Sequence, residues 1–353
     1  MKQKTIMIGN KPIGSEYPMY TIAEIGSNFD GSIERAKKLV DLAVDYCGAD
    51  AVKFQSFKAT DIVSKIGFLG RSDGFQSHWE KPVYEVYKDA EFPREWHQEL
   101  FNYCKEKGST FLSAPYDREA VDLLDELGVE AFKVGSGDIT WLEMLEYIAH
   151  KDKPIILATG ASTLSEVDAA VKTIKATGNK KLILLQCVTN YPSTFESANV
   201  NAMKAMGKMF DVEVGYSDHT PGSIVPLCAR ALGGCIIEKH FTDDKTRKGP
   251  DHSFAMDHHD FKEMVEDIRC LEKTLGSPHK TLYEEEAVTV DLQRRCVRAA
   301  DNLGAGLILE AKHLVALRPA PEGTICPKYC SKLIGKKIKK SIARGDAIVW
   351  EDI

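Results

Sequence analysis

The chain has 353 residues, a net charge of −6, 43% hydrophobic and 28% charged residues. That suits one large domain plus a small one, with a core that needs no staples. The acidic balance excludes a basic nucleic-acid surface, so an anionic ligand requires a locally positive pocket.

Short apolar strands alternate with amphipathic stretches. MYTIAE, from Met19, reads as the first strand, and Ser32 is placed to cap a helix over IERAKKLVDLAVDY. AVKFQ, from Ala51, is the second strand. An insertion from Lys58 to Glu91 follows, whose Trp79 and Tyr84 read as a lid or as hydrophobic cover. EWHQELFNYCKEKG then predicts a helix closed by Gly108. TFLSAP (from Thr110), the helix REAVDLLDELG and AFKVGS (from Ala131) come next. PIILATG (from Pro154) leads into STLSEVDAAVKTIKATG, a helix closed by Gly178. LILLQC (from Leu182), EVGYSD (from Glu213) and CIIEKHF (from Cys235) complete the strands, and FKEMVEDIRCLEKTLG is the last long helix. Eight strands, each followed by a helix, predict an α/β protein with a (β/α)8 TIM barrel. No GxGxxG follows the first strand, which weakens an open dinucleotide-binding sheet. The pattern changes after Gly276, giving expected boundaries of 1–276 for the barrel, 277–293 for a linker and 294–353 for a small C-terminal module.

The nine cysteines form no paired framework, which reads as reduced thiols in a cytoplasmic protein. Cys326 and Cys330 lack a second ligand pair, so no structural zinc is expected. MKQKTIMIGNKPIG lacks the apolar run of a signal peptide, and no membrane-spanning stretch occurs.

A TIM barrel builds its site at the strand C-termini. The polar residues expected there are Glu24, Lys53, Gln55, Lys133, Ser136, Thr159, Ser162, Asn190, Tyr191, Ser217, Asp218, His219, Glu238 and His240. Alternation along a strand puts Lys53 with Gln55, and Glu238 with His240, on one face. Charges directed at apolar helices would be costly, so that face is expected to be the barrel interior. Two lysines beside the turn Gly135-Ser136-Gly137 point to an anion, although each could instead be a buried ion-pair partner. His219 and His240 end adjacent strands and can share a divalent ion with positions left open. Asp251 is a candidate sugar-hydroxyl ligand, and His252 beside it reads equally as a turn residue.

Taken together, IAEIGSNFDGS, ADAVKFQ, FKVGSGD, LLQCVTNYP, GYSDHT, IEKHFTDD and GPDHSFAMD resemble the N-acetylneuraminate (sialic acid) synthases and their legionaminate, pseudaminate and spore-coat relatives. The C-terminal ALRPAPEG…LIGKKI resembles the antifreeze-like (SAF) domain of that family. The resemblance implies condensation of phosphoenolpyruvate with an N-acylated amino sugar, with N-acetylmannosamine as the first reading. A diacetamido sugar of the legionaminate or pseudaminate type is the alternative, ahead of N-acetylmannosamine 6-phosphate. It implies manganese or magnesium on His219 and His240, phosphoenolpyruvate near Lys53, Lys133, Ser136 and Ser217, and the sugar near Glu24, Tyr191 and Asp251. Arg318 would reach the N-acyl group from a partner subunit in a domain-swapped homodimer. Glu24, with Glu238 second, would stabilise positive charge developing on phosphoenolpyruvate. Ala114 and Ala158 depart from the family pattern of hydroxyl residues near the phosphate, leaving Ser113, Thr159 and Ser162 to supply donors. Two other classes compete: an aldolase using Lys133 or Lys53 as a Schiff base, and a non-catalytic sugar binder.

Overall fold

The computed structural model describes residues 5–69 and 74–353. The chain divides into two compact units, 1–276 and 277–353. A hairpin opens the first, β1 (Ile6–Ile8) paired antiparallel with β2 (Lys11–Ile13). Eight parallel strands follow: β3 (Tyr20–Glu24), β4 (Ala51–Ser56), β5 (Thr110–Pro115), β6 (Phe132–Val134), β7 (Ile155–Ala158), β8 (Leu182–Cys187), β9 (Glu213–Asp218) and β10 (Ile236–His240). Their order is β5-β4-β3-β10-β9-β8-β7-β6. The end strands β5 and β6 also pack side by side, so the sheet curls into a nearly closed TIM barrel.

Alternation sorts each strand into two faces. Outward residues such as Val52, Phe54, Phe132 and Ile237 pack against the helices. Inward residues at the lower end, such as Ile22, Ala51, Ile156 and Ile236, form a second core that Ile6, Ile8 and Ile13 of the hairpin close from below. Burying each such aliphatic side chain contributes about 1.5–3 kcal/mol before chain entropy is charged against it. The barrel is therefore greasy below and polar above. Gly215 is inward in β9 because a Cβ there would lie 2.4 Å from the Ile236 carbonyl oxygen.

The helices close the outer layer. α1 (Ile33–Asp41) starts where expected, with Ser32 Oγ accepting from Arg35 N, and runs on into a π turn at Leu42–Tyr46. The insertion holds α2 (Ala59–Ile62) and α3 (Val83–Asp89); its residues 70–73 lie outside the described ones. α4 (His97–Glu106) and α5 (Arg118–Leu127) flank β5. α6 (Leu142–Ala149) precedes β7, and α7 (Leu164–Ala176) begins at a Thr163–Glu166 capping box. α8 (Val200–Phe210), α9 (Ile224–Ala231) and α10 (His258–Leu275) complete the ring.

The second unit begins with α11 (Ala287–Gln293) and pairs β11 (Cys296–Ala299) antiparallel with β12 (Leu314–Leu317). A one-turn helix, α12 (Cys330–Leu333), follows. Its own core gathers Val297, Leu309, Ile325, Ile338 and Ile348. All nine cysteines are free. Among the described residues no helix is long and apolar enough to cross a membrane.

Candidate active site

A cavity of ≈ 410 Å³ opens at the C-terminal ends of the strands. Of the residues expected there, Glu24, Lys53, Gln55, Lys133, Ser136, Tyr191, Ser217, His219, Glu238, His240 and Asp251 line it. Strand alternation explains the set: each charged strand residue continues the inward face one step above the apolar layer.

The charges interlock. Lys53 Nζ lies 2.7 Å from Glu24 Oε2 and 3.8 Å from Glu238 Oε1, and Lys133 Nζ lies 3.5 Å from the same Glu238 oxygen. Glu24 Oε1 also accepts from Gln55 Nε2 at 2.6 Å, and Glu238 Oε1 from Ser217 Oγ at 3.1 Å. Burial pushes the Glu24 carboxyl up, only partly opposed by Lys53. Glu238 is equally buried, yet Lys133 and Lys53 together hold it below the usual carboxylate range. Its Oε2 has no hydrogen-bond partner. Lys133 is pushed down by burial despite Glu238, while Glu238 and Glu24 keep Lys53 charged against the same penalty. The two ammonium groups, Lys53 and Lys133, are the cations that an anion entering the cavity would meet.

The histidines stand on the next rung. Their ring centroids are 5.5 Å apart, and Tyr191 packs 4.1 Å from His219 and 5.9 Å from His240. His219 Nδ1 is 2.8 Å from the Val188 carbonyl oxygen, a contact that makes Nδ1 the donor and leaves the Nε2 lone pair available. His240 Nδ1 is buried without a hydrogen-bond partner, 3.9 Å from Asp251 Oδ2. Burial pushes His219 down to about 4 and His240 to about 3, so both rings are neutral near pH 7. Two neutral imidazoles, one oriented by a carbonyl and one with an orphaned nitrogen, fit a divalent ion. Among the described residues no group of three or more His, Cys, Asp or Glu is placed together to hold a metal ion, so the two histidines stand alone in that role.

A third buried histidine, His97, supports the wall instead. Its Nε2 is 2.5 Å from Ser56 Oγ, and burial pushes it down to about 4. All three rings are harder to protonate folded than unfolded, where the ordinary value is 6.5. Their stabilisation is thus fully present above pH 6.5 and is lost as pH falls toward 4. Each histidine contributes about 1.4 kcal/mol per pH unit across that window. Glu24 and Asp138, whose carboxyls burial raises, gain stability over the same window and partly offset this loss, so the test is a difference: between pH 6.5 and 5 the urea stability of His97→Gln should fall less than that of the wild type by about 1.4 kcal/mol per pH unit. A slope unchanged by His97→Gln would remove that ring from the account.

Four expected residues lie outside this cavity, Asp218 among them because it turns outward to Lys239. Thr159 Oγ1 donates to the Leu185 carbonyl oxygen, because the inward residue at the end of β7 is Ala158. Ser162 Oγ turns back to the Gly160 carbonyl oxygen, and Asn190 Nδ2 donates to that of Pro192. Ser113 faces outward to Ser56 Oγ, so it does not replace a hydroxyl at Ala114. A hydroxyl that does line the cavity is that of Thr189, two residues past the inward Cys187. Thr189 Oγ1, Ser136 Oγ and Cys187 Sγ surround Gly160 so closely that a Cβ there would meet them at 2.3, 2.8 and 3.3 Å. Ser27 was also missed; its N and Oγ both donate to Asp251 Oδ2. Asp138 lines the cavity with its Oδ2 unpartnered, and burial pushes its carboxyl up to about 6. From the insertion, Trp79 and Tyr87 line the cavity, whereas Tyr84 sits under Lys65. His252 is a structural residue, fully buried between Thr242 and Asp30. Arg318 lies exposed in the second unit, just past β12.

Residues 39–280 match the NeuB family and residues 294–353 the SAF domain. The chain is 38% identical to an N,N'-diacetyllegionaminic acid synthase of Legionella pneumophila, covering 98% of this chain and 97% of that one. It is 37% identical to the N,N'-diacetyllegionaminic acid synthase of Campylobacter jejuni, covering 93% and 98%. The crystal structure of an N-acetylneuraminic acid synthetase from Leptospira borgpetersenii superposes with a TM-score of 0.72 at 31% identity, covering 81% of this chain and 95% of that one. With both motif sets and the whole barrel accounted for, the chain belongs to the NeuB family of synthases and carries a C-terminal SAF domain.

Proposed function

We propose that the protein condenses phosphoenolpyruvate with the open-chain aldehyde of a diacetamido hexose and water, giving a nonulosonic acid and inorganic phosphate. The observation that carries the condensation is the Lys53–Glu238–Lys133 cluster directly beneath a neutral histidine pair. The identity of 38% and 37% to the two legionaminic acid synthases, against 33% to the N-acetylneuraminate-9-phosphate synthase of Mus musculus, supports the diacetamido acceptor over N-acetylmannosamine.

Lys53 and Lys133 hold the anionic groups of phosphoenolpyruvate and fix C3 toward the aldehyde. Ser136 Oγ accepts from Gly160 N at 3.0 Å, which fixes this hydroxyl at the end of the cavity where the phosphate would lie. His219 and His240 would hold a divalent ion, manganese or magnesium, which when bound would supply Lewis-acid polarisation of the aldehyde oxygen. As C3 attacks, positive charge develops at C2. The sequence alone ranked Glu24 first as its stabiliser. Burial raises the Glu24 carboxyl, whereas Lys133 and Lys53 hold Glu238 ionised, so Glu238 takes that role here. Water adds to C2, and the C2–O bond breaks to release phosphate. Asp251, fixed by Ser27, faces the sugar. Arg318 completes the acyl pocket from the second subunit of a homodimer.

The test is phosphate release with phosphoenolpyruvate and a panel of a diacetamido trideoxy hexose, N-acetylmannosamine and its 6-phosphate. The diacetamido sugar should show kcat/KM higher by about tenfold or more. Preference for N-acetylmannosamine would overturn the acceptor but not the condensation; no phosphate with any acceptor would overturn both. The lowered pKa of Lys133 is a feature that a Schiff-base aldolase would share. Borohydride with pyruvate should leave the chain unmodified.

Gly160→Ala tests the phosphate end. Thr189 and Ser136 are side chains that can swing aside, so the barrel should survive while the cradle narrows. KM for phosphoenolpyruvate should rise about tenfold, roughly the worth of one hydrogen bond to a charged group. An unchanged KM would place the phosphate elsewhere in the cavity.

A further inference from the structure

Asp218 and Lys239 each immediately precede a site histidine, and neither faces the cavity. They are register partners on β9 and β10, pointing outward between the inward pair Ser217–Glu238 and the histidines above. The surrounding outward positions of these strands, Tyr216 and Ile237, are apolar and packed against helices. A lysine there is anomalous: it is 3% exposed, with Asp218 1% exposed. Desolvating two charges costs a great deal, and an apolar pair would generally serve stability as well or better.

The contacts show what the pair does instead. Lys239 Nζ lies 2.5 Å from Asp218 Oδ2, 2.6 Å from the Thr220 carbonyl oxygen and 2.9 Å from that of Gly222. Its three N–H donors are thereby all used. Asp218 Oδ1 in turn accepts from Thr220 N and Thr220 Oγ1, both at 2.9 Å. The side chain of β10 thus grips the turn at 218–222, whose second residue is His219, while its own next residue is His240. From this geometry we infer that Lys239 and Asp218 are positioning residues: together they set the height of His219 against His240 and so the bite of the histidine pair. The inference rests on the metal reading of that pair for its function, but the placement of the rings is testable without metal.

The decisive variant replaces both charges with apolar groups of similar size, Asp218→Leu with Lys239→Met, because each single change strands a buried charge and can unfold the chain. The double variant should retain cooperative thermal unfolding at a lowered midpoint, because Thr220 N and the Thr220 and Gly222 carbonyls lose their partners although no charge is stranded. Histidine side-chain 15N spectra of the metal-free protein should lose the single Nδ1–H form of His219 that the Val188 carbonyl selects. Manganese affinity, measured by electron paramagnetic resonance, should weaken about tenfold to a hundredfold, as when groups supporting metal ligands are removed. Lys239→Arg, which keeps the cation, should bind manganese more tightly than the double variant. A folded double variant with wild-type histidine spectra would overturn the positioning role. If the wild type binds no manganese, the metal reading falls, and the 15N spectra alone decide the inference.

Discussion

His240→Ala is expected to lower kcat/KM by at least about a thousandfold, the equivalent of roughly 4 kcal/mol of lost stabilisation at the reacting carbonyl. Two features make the variant informative. The ring makes no hydrogen bond through Nδ1, so truncation strands no partner. Its packing is mainly edge contact with Phe254 and Tyr191, at 4.9 and 5.9 Å between centroids. The stability loss should therefore stay at the small end for a core truncation, about 1–2 kcal/mol. Manganese titration should show the binding isotherm gone while far-ultraviolet dichroism is unchanged. Turnover that persists in chelator-treated His240→Ala protein would refute the assignment of the histidine pair to a metal. The same variant tests the homodimer. Mixed with Arg318→Ala chains under exchange conditions, it should regain activity, since one site in the hybrid would draw an intact barrel and an intact Arg318 from different subunits. No regain on mixing would place each complete site within one chain.

Much of the barrel was legible because parallel strands buried on both faces read as apolar runs, and their polar interruptions mark the mouth. Lys53 with Gln55, and Glu238 with His240, followed from alternation alone. The same rule, applied one step further, would have rejected Thr159: Ile156 lies in the inner core, so Ala158 is inward and Thr159 is not. Thr189 escaped because it lies two residues past β8, where the inward series runs on into a loop. The floor of the barrel escaped because β1 and β2 are three residues each, too short to show a period. α8 and α9 were poorly marked, since Gly207 and Pro226 interrupt their patterns. The ranking of Glu24 against Glu238 was not accessible from sequence at all. The proposal of Glu238 rests on how Lys53 and Lys133 are shared between the two carboxylates.

Replacing Lys53 with methionine should be the most damaging single change in the cavity. Lys53 is 3% exposed and is the cation nearest Glu24, at 2.7 Å. Without it, Glu24 becomes a buried carboxylate with only Gln55 beside it, and Glu238 keeps only Lys133. Breaking a buried pair in this way costs about 3–5 kcal/mol, and protonation of Glu24, whose pKa burial already raises, offsets part of that cost. Urea unfolding of the barrel should therefore shift strongly at pH 8 and less at pH 5.5, because acid supplies the proton that neutralises the stranded group. Turnover should fall at both pH values by about a thousandfold or more, since the positive charge that holds and orients the anion is gone. Stability and chemistry can then be separated by adding Glu24→Gln to Lys53→Met. The amide removes the stranded charge, so most of the lost stability should return, while phosphate release stays at the level of the single variant. Recovery of turnover in that double variant would reduce Lys53 to a counter-ion for Glu24 and leave Lys133 as the cation that meets phosphoenolpyruvate.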